Sequence, residues 1–159
     1  MSMEYKRRIL PFLLVLASVW LSACAGKLLA PFATWVQLDI TSNNTLNPDE
    51  SGRPSPVVLR IYELKDITNF QSKDFFQIYD NDEEALGDSL IKKDELNFRP
   101  GESTFIEREF NPDAAYIGVF VAFRDVDEAH WRAFYKLRQS RTNKLKIDLH
   151  DIKVSIKSE

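Results

Sequence analysis

Short stretches in which apolar and polar residues alternate recur along most of this chain. In residues 35–40, Val36, Leu38 and Ile40 alternate with polar side chains, and residues 57–64 form a second such stretch. Successive side chains of a β-strand point to opposite faces, so this period predicts strands that are buried on one side. A chain with this pattern is expected to form sheets that cover an apolar interior.

Further strand-like stretches follow at intervals of about ten residues, separated by turn-forming residues. Residues 115–123 are almost all apolar, which predicts a strand in the centre of a sheet. A shift in the apolar phase at His150 and Asp151 predicts a tight turn or a bulge. The remaining predicted strands are 95–98, 103–110, 130–137, 145–149 and 152–156. About eight short strands predict an all-β sandwich.

Residues 66–87 do not follow the strand pattern. Phe75, Phe76 and Tyr79 recur at helical spacing, Ser72 is a candidate N-cap, and Gly87 is a typical stop signal. The sequence therefore predicts a small helical insertion here.

The N-terminus has the pattern of a secretory leader. Basic residues at positions 6–8 precede an apolar stretch, residues 9–20, and the small residues before Cys24 complete a bacterial lipobox, Leu21, Ser22, Ala23 and Cys24. The apolar stretch is shorter than the roughly 20 residues that span a bilayer, so an uncleaved anchor is the weaker alternative. We expect residues 1–23 to be a cleaved signal peptide.

Cys24 is the single cysteine of the chain, so the fold has no disulfide and no thiolate metal site. We expect its thiol to carry a diacylglyceryl group and its new amine an N-acyl chain, with residues 24–33 as acylated N-terminus and tether. Two or three acyl chains hold a protein stably on a bilayer. The sandwich domain is expected to cover residues 34–159.

Ala25 stands where an aspartate retains enterobacterial lipoproteins at the inner membrane, which favours the periplasmic leaflet of the outer membrane.

The charge balance argues against some partners. Removal of residues 1–23 takes away three basic residues and one acidic residue, which leaves 18 basic against 23 acidic. This acidic balance does not favour nucleic acid or electrostatic adhesion to anionic lipid. Basic residues nevertheless gather around one predicted turn, where a solvated hairpin end competes with a rim for lipid phosphates or an acidic partner. They are Lys136, Arg138, Arg141, Lys144 and Lys146.

Candidate catalytic and metal-binding residues are few. The only histidines, His130 and His150, lie in or beside predicted strands, and neither adjoins a G-x-S-x-G turn or a zinc-ligand spacing. The acids at positions 80 and 82–84 lack the glycine and distal glutamate of an EF-hand, so they are interpreted as a solvated helix start. The sequence predicts neither an enzyme nor a metal site.

The segment between the first two predicted strands is unusually long. Residues 41–56 are rich in Asn, Ser and Pro, and long loops in compact domains are commonly functional. Leu46 is expected to lie outside the core, where its burial against a partner would contribute about 1.5–3 kcal/mol. The alternative is an ordered loop that only links two strands.

Several segments behind the lipobox resemble those of the TssJ family, the outer-membrane lipoproteins of the type VI secretion membrane complex. They are residues 54–64 (PSPVVLRIYEL), 74–80 (DFFQIYD), 100–102 (PGE), 116–125 (YIGVFVAFRD) and 131–132 (WR). The resemblance covers most of the mature chain.

The resemblance implies a transthyretin-like sandwich with a helical insertion, and no catalysis or cofactor beyond the lipid. It implies binding to the periplasmic C-terminal region of TssM, the inner-membrane subunit of the TssJ–TssL–TssM complex. The implicated contact is the loop between the first two strands, here residues 42–55. The candidate contact residues are Ser42, Asn43, Asn44, Thr45, Leu46, Asn47, Pro48 and Asp49. The alternatives are a periplasmic small-ligand or glycan-binding lipoprotein and a hydrolase that uses His130 or His150.

Overall fold

The computed structural model describes residues 33–159, and within them eight strands form two four-stranded sheets. The predicted leader and lipobox lie outside the described residues, as does the predicted tether up to residue 32. The elements are β1 (Thr34–Ser42), β2 (Val57–Leu64), α1 (Thr68–Ser72), α2 (Phe75–Leu86), a short 3-10 helix (Gly87–Ser89), β3 (Leu90–Phe98), β4 (Ser103–Phe110), β5 (Tyr116–Ala122), β6 (Arg132–Lys136), β7 (Thr142–His150) and β8 (Lys153–Ser158).

One sheet has the strand order β4-β1-β7-β8 and the other has the order β3-β2-β5-β6. β1 and β7 pair in parallel, and the other neighbouring strands pair in antiparallel fashion. The predicted all-β sandwich with a helical insertion is confirmed. β5 lies inside its sheet, as its apolar sequence predicted. β7 and β8 are joined by the two residues Asp151 and Ile152, which explains the phase shift seen in the sequence.

The core consists of alternate side chains of the inner strands. Val36, Leu38 and Ile40 of β1 are at most 1% exposed, because the period of two turns each of them toward the opposite sheet. The side chains that meet them in the same core cluster include Leu59, Ile61, Ile117, Val119, Val121, Leu145, Ile147 and Leu149.

The outer face of the second sheet is covered by the helical insertion. Tyr62, Leu64 and Phe120 pack there against Phe70 and other side chains of α1 and α2 in a second buried cluster. Both faces of β5 are therefore buried, which explains its nearly continuous apolar sequence. A Cβ on Gly118 would lie 3.0 Å from Leu64 Cδ1 and 3.2 Å from Phe70 Cζ, so the close packing of α1 favours glycine at this position.

The helix boundaries differ in part from the prediction. Ser72 ends α1, and the N-cap of α2 is Asp74, whose carboxylate accepts the Gln77 N–H at 2.9 Å. The Gln77 side chain in turn accepts the Asp74 N–H at 3.0 Å, which completes a capping box. Gly87 follows α2 with φ of +52°, so the predicted stop signal is confirmed.

The interpretation of residues 80–84 as a solvated helix start is wrong for Asp82. Its carboxylate is buried and accepts hydrogen bonds from the Tyr62 hydroxyl at 2.9 Å and the Lys93 ammonium at 2.9 Å. Arg60 lies 3.4 Å from Asp82 and also donates to the main-chain carbonyl of Tyr79 at 3.0 Å. These contacts fix α2 to the sheet at the point where the non-helical dihedral angles of Asn81 kink it.

Candidate partner-binding end of the sandwich

The strand registers divide the connections between two ends of the sandwich. We call one the loop end, which consists of residues 43–56, 99–102, 123–131 and 151–152. We call the other the tether end, where the chain enters β1 at Thr34 and where residues 111–115, residues 137–141 and Glu159 lie. The predicted partner-binding loop therefore lies at the end opposite to the start of β1.

The base of the β1–β2 loop is bonded to the β7–β8 turn. The Asn43 N–H donates to the Leu149 carbonyl at 3.0 Å, and the Asn47 N–H donates to the Asp151 carbonyl at 2.7 Å. The Asp151 carboxylate accepts hydrogen bonds from the Thr45 hydroxyl and the Asn43 amide. These bonds stabilise the ionised form and hold the pKa of Asp151 below its usual range.

The β3–β4 turn supports the loop from the other side. The Ser42 hydroxyl donates to the Arg99 carbonyl at 2.7 Å and accepts the Glu102 N–H at 3.0 Å. Gly101 has φ of +73° and donates its N–H to the Asn43 carbonyl at 3.1 Å. A Cβ on Gly101 would collide with Asn44 Oδ1, so the close approach of turn and loop requires glycine here.

The prediction that Leu46 lies outside the core is wrong. Its side chain is 0% exposed and belongs to the apolar cluster between the two sheets. Asn47, the next residue, is also buried: its side-chain oxygen accepts the Arg124 N–H at 2.8 Å and its amide donates to the Pro56 carbonyl at 3.2 Å. Leu46 therefore closes the core at the loop end and is not available to a partner.

The tip of the loop is an ordered turn centred on Asp49. Its carboxylate accepts the N–H groups of Ser51 at 2.8 Å and Arg53 at 2.9 Å, and it pairs with the Arg53 guanidinium at 2.8 Å. The Arg53 N–H is the main cause that lowers the pKa of Asp49. Gly52 adopts φ of +77° and donates its N–H to the Asp49 carbonyl at 2.8 Å. Residues 50–54 project from this turn and are exposed, apart from the bonds they make to Asp49.

A family model described as Type VI secretion lipoprotein, VasD, EvfM, TssJ, VC_A0113 (T6SS-SciN) matches residues 34–152. This chain belongs to the TssJ family. The match spans the sandwich from the first residue of β1 to the β7–β8 turn, including the candidate loop. TssJ proteins are structural lipoproteins of type VI secretion and not enzymes.

Solved structures agree with this assignment. The crystal structure of the lipoprotein TssJ1 from Pseudomonas aeruginosa is similar with a TM-score of 0.78 and 35% identity, over 80% of this chain and 97% of that one. A chain from a structure described as the type VI membrane complex has a TM-score of 0.66 and 26% identity, over 76% of this chain and 95% of that one. A chain from a structure described as the TssM C-terminal domain from EAEC shares the fold. Its TM-score is 0.64 and its identity is 23%, over 77% of this chain and 97% of that one. A comparison with curated proteins gives no match.

The eight predicted contact residues of this TssJ protein fall into three groups. Asn44 and Thr45 are exposed, Ser42, Asn43, Pro48 and Asp49 are partly buried, and Leu46 and Asn47 are buried. The accessible surface of the loop therefore consists of Asn44, Thr45, Pro56 and the tip, residues 50–54, and sequence reasoning included the tip in the loop without distinguishing it. The sequence feature that could have indicated this turn is the pair of Asp49 and Arg53, four residues apart with Gly52 between them.

Sequence reasoning missed the contribution of the β5–β6 connection to the same end. Arg124, Asp125 and Glu128 are exposed there, beside the loop residue Asn47. Both histidines also lie at this end and are exposed. His150 pairs with Asp151 at 2.9 Å, and the backbone of His130 bonds to that of Ile152 and Val154. The His130 backbone thus joins the edges of the two sheets.

No group of His, Cys, Asp and Glu side chains within residues 33–159 is arranged to hold a metal ion. In the same part of the chain, no helix is long and apolar enough to cross a membrane.

Proposed function

We propose that this TssJ protein is a structural adaptor of the type VI secretion envelope complex. Acyl chains on Cys24, a diacylglyceryl group and an N-acyl chain, hold it in the periplasmic leaflet of the outer membrane. Its loop end binds the periplasmic C-terminal region of TssM, the inner-membrane subunit of the TssJ–TssL–TssM complex. The protein then connects two membranes by a lipid anchor at one end and a protein contact at the other.

This proposal is supported mainly by the position of the loop end and the tether end at opposite ends of the sandwich. The chain leaves the acylation site and enters the sandwich at Thr34, and β1 runs for nine residues before the loop begins after Ser42. Nine residues of strand span roughly 30 Å at about 3.3 Å per residue. A sandwich with its tether end toward the outer membrane therefore presents the loop tip about that distance deeper in the periplasm.

The order of the loop supports a role in binding. Side-chain and main-chain bonds to Asp49 fix the tip, and Asp151 fixes the base, before any partner arrives. A preorganised loop loses little conformational entropy on binding, so more of the contact energy appears as affinity. The exposed Arg53 at the tip belongs to a residue type enriched at interface hot spots.

The similar structures support the identity of the partner. Chains that resemble this one occur in a structure described as the type VI membrane complex and in one described as the TssM C-terminal domain. The small-ligand alternative calls for an apolar pocket between the sheets, whereas within residues 33–159 side chains of both sheets are buried there in a common core.

The two halves of the proposal are tested separately by a Cys24→Ser variant. We expect this variant to appear in the soluble periplasmic fraction, to fail in secretion, and still to bind purified TssM C-terminal region as tightly as the mature wild-type domain. Wild-type secretion by a soluble variant would refute the anchoring half. Absence of TssM binding by both proteins would refute the adaptor half.

A further inference from the structure

The second half of the sandwich domain carries an uneven distribution of charge. Residues 129–147 contain six Lys or Arg residues and no Asp or Glu, although the mature domain as a whole is acidic. Lys146 pairs with Asp148 at 3.0 Å. Four of the six are exposed and form no ion pair within residues 33–159, and we call them the basic patch: Lys136, Arg138, Arg141 and Lys144.

The basic patch lies on the β6–β7 connection and its flanking strands, and this connection bonds to the residues where the chain enters the sandwich. The Thr34 hydroxyl accepts the Ser140 N–H at 2.9 Å and donates to the Gln139 side chain at 3.1 Å. The Trp35 N–H donates to the Arg141 carbonyl at 3.1 Å. Nine residues lie between Cys24 and Thr34, so the ten steps from one to the other reach at most about 35 Å when fully extended. Arg141, whose carbonyl accepts the Trp35 N–H, therefore lies next to the residues where the tether joins the domain.

An aromatic side chain lies at the same place. Trp35 is 41% exposed, although it stands at the second position of a central strand. Tryptophan is enriched at the boundary between lipid and water, because its ring is apolar and its indole N–H needs a polar partner. Exposed carboxylates also lie at the tether end: Glu109 opposite Trp35 on β4, Asp113 in the β4–β5 turn, Asp66 and Asp88 at the two ends of the helical insertion, and Glu159, whose N–H donates to the Lys144 carbonyl. The basic patch thus occupies the side formed by β6 and β7, with Glu159 beside Arg138 and Lys144.

We infer that the basic patch and Trp35 contact anionic phospholipid headgroups of the leaflet that holds the acyl chains. This inference rests on the proposed anchoring at Cys24. A basic residue near an anionic membrane improves binding by about fivefold, and the short tether raises the effective lipid concentration that the patch meets. The contact orients the sandwich with its tether end on the membrane, so that the loop end points into the periplasm.

The test uses the mature chain, residues 24–159, coupled through its only cysteine to a maleimide lipid. This coupling imposes attachment at Cys24, so the result does not depend on whether cells acylate that residue. In a Trp131→Phe chain Trp35 is the single tryptophan, and in a Trp35→Phe chain Trp131 is the single one, beside the loop-end residue His130. The fluorescence of each is measured on vesicles that carry a headgroup nitroxide quencher, with either neutral lipid only or 30% phosphatidylglycerol.

We expect Trp35 to be quenched at least twofold more on the anionic vesicles than on the neutral ones, and Trp131 to be quenched equally on both. The difference at Trp35 should disappear in Arg138→Gln/Arg141→Gln and in 0.5 M salt. It should persist in Arg53→Gln/Arg124→Gln, which removes two arginines from the loop end. Equal quenching of Trp35 on the two lipids would overturn the inference.

A second arm separates this inference from the adaptor function. The Arg138→Gln/Arg141→Gln chain should bind the TssM C-terminal region with unchanged affinity. If its TssM affinity falls while lipid charge has no effect on Trp35, the basic patch serves an acidic protein surface and the lipid inference is wrong. Failure of the wild-type chain to bind TssM would refute the adaptor function and leave the quenching result decisive for the patch.

Discussion

The main-chain N–H of Asn47 donates to the carbonyl of Asp151 at 2.7 Å. This bond joins the loop between β1 and β2 to the turn between β7 and β8, two segments more than a hundred residues apart in the chain. The loop is therefore part of the folded end of the sandwich. The portion accessible to a partner is its tip together with Asn44 and Thr45.

Replacement of Leu46 should lower the stability of the whole domain. The side chain is 0% exposed, so Leu46→Ala removes buried apolar surface and leaves a cavity, at a cost of about 2–5 kcal/mol. Chemical denaturation measures this loss. Ser51→Ala, at the exposed tip, is the matched control and should stay within about 0.5 kcal/mol of wild type. A Leu46→Ala protein as stable as this control would contradict the placement of Leu46 in the core.

Removal of the buried carboxylate of Asp82 should be more damaging than removal of the exposed one of Asp80. Asp82→Ala deprives the Tyr62 hydroxyl and Lys93 of an acceptor and leaves Arg60 paired with Glu95. The cost should be about 1–3 kcal/mol, because the buried Tyr62 hydroxyl then has no partner. Asp80→Ala removes an exposed side chain and should change the free energy of unfolding by about 0.5 kcal/mol or less. Equal effects of the two substitutions in urea denaturation would count against this ion cluster.

Acid should weaken the base of the loop through Asp151. Hydrogen bonds from Thr45 and Asn43 hold the pKa of this carboxyl below the value of 3.8 that it has without them. Because the folded pKa is lowered, the stabilisation is fully present above about pH 4 and is lost as the pH falls through the folded pKa. NMR titration should show the Asp151 midpoint moving up toward 3.8 in Asn43→Ala. An unchanged midpoint would mean that the amide of Asn43 does not stabilise the carboxylate.

Loosening the loop tip should affect binding more than stability. Asp49→Ala removes the acceptor for the N–H groups of Ser51 and Arg53, so hydrogen exchange of these two amides should accelerate. The melting temperature should stay close to that of wild type, because the tip contributes little to the core. We expect the affinity for TssM to fall several-fold, since the partner must then order the tip. Unchanged exchange rates would show that Asp49 does not organise the turn.

Strand positions could be predicted well from the sequence wherever one face is buried. The alternation in β1 and the continuous apolar run of β5 each follow from which faces are dry. The sheet arrangement was less accessible: β3 and β4 are consecutive and joined by a short turn, yet they belong to different sheets. The sequence of residues 99–102 has no feature that predicts the passage of the chain from one sheet to the other.

The candidate site illustrates the limits of pattern reasoning. Leu46 is a single apolar residue among polar ones, so it has no periodicity from which burial could be inferred, and only the folded loop turns it inward. Asp82 has the same difficulty in an acidic run, because Tyr62, Arg60 and Lys93 come from distant strands. The family resemblance implies a partner contact in this loop, and the structure shows which of its side chains are accessible.

We propose that the loop end, and not the tether end, binds the periplasmic C-terminal region of TssM. Titration calorimetry with the mature Cys24→Ser chain tests it with two matched double variants of exposed residues: Arg53→Ala/Pro54→Ala at the loop tip and Arg141→Ala/Pro112→Ala at the tether end. We predict saturable binding that weakens at least about tenfold in the tip variant, as loss of a hot spot does. The tether-end variant should bind within twofold of wild type. Full affinity of the tip variant, with loss of affinity in the tether-end variant, would contradict the account.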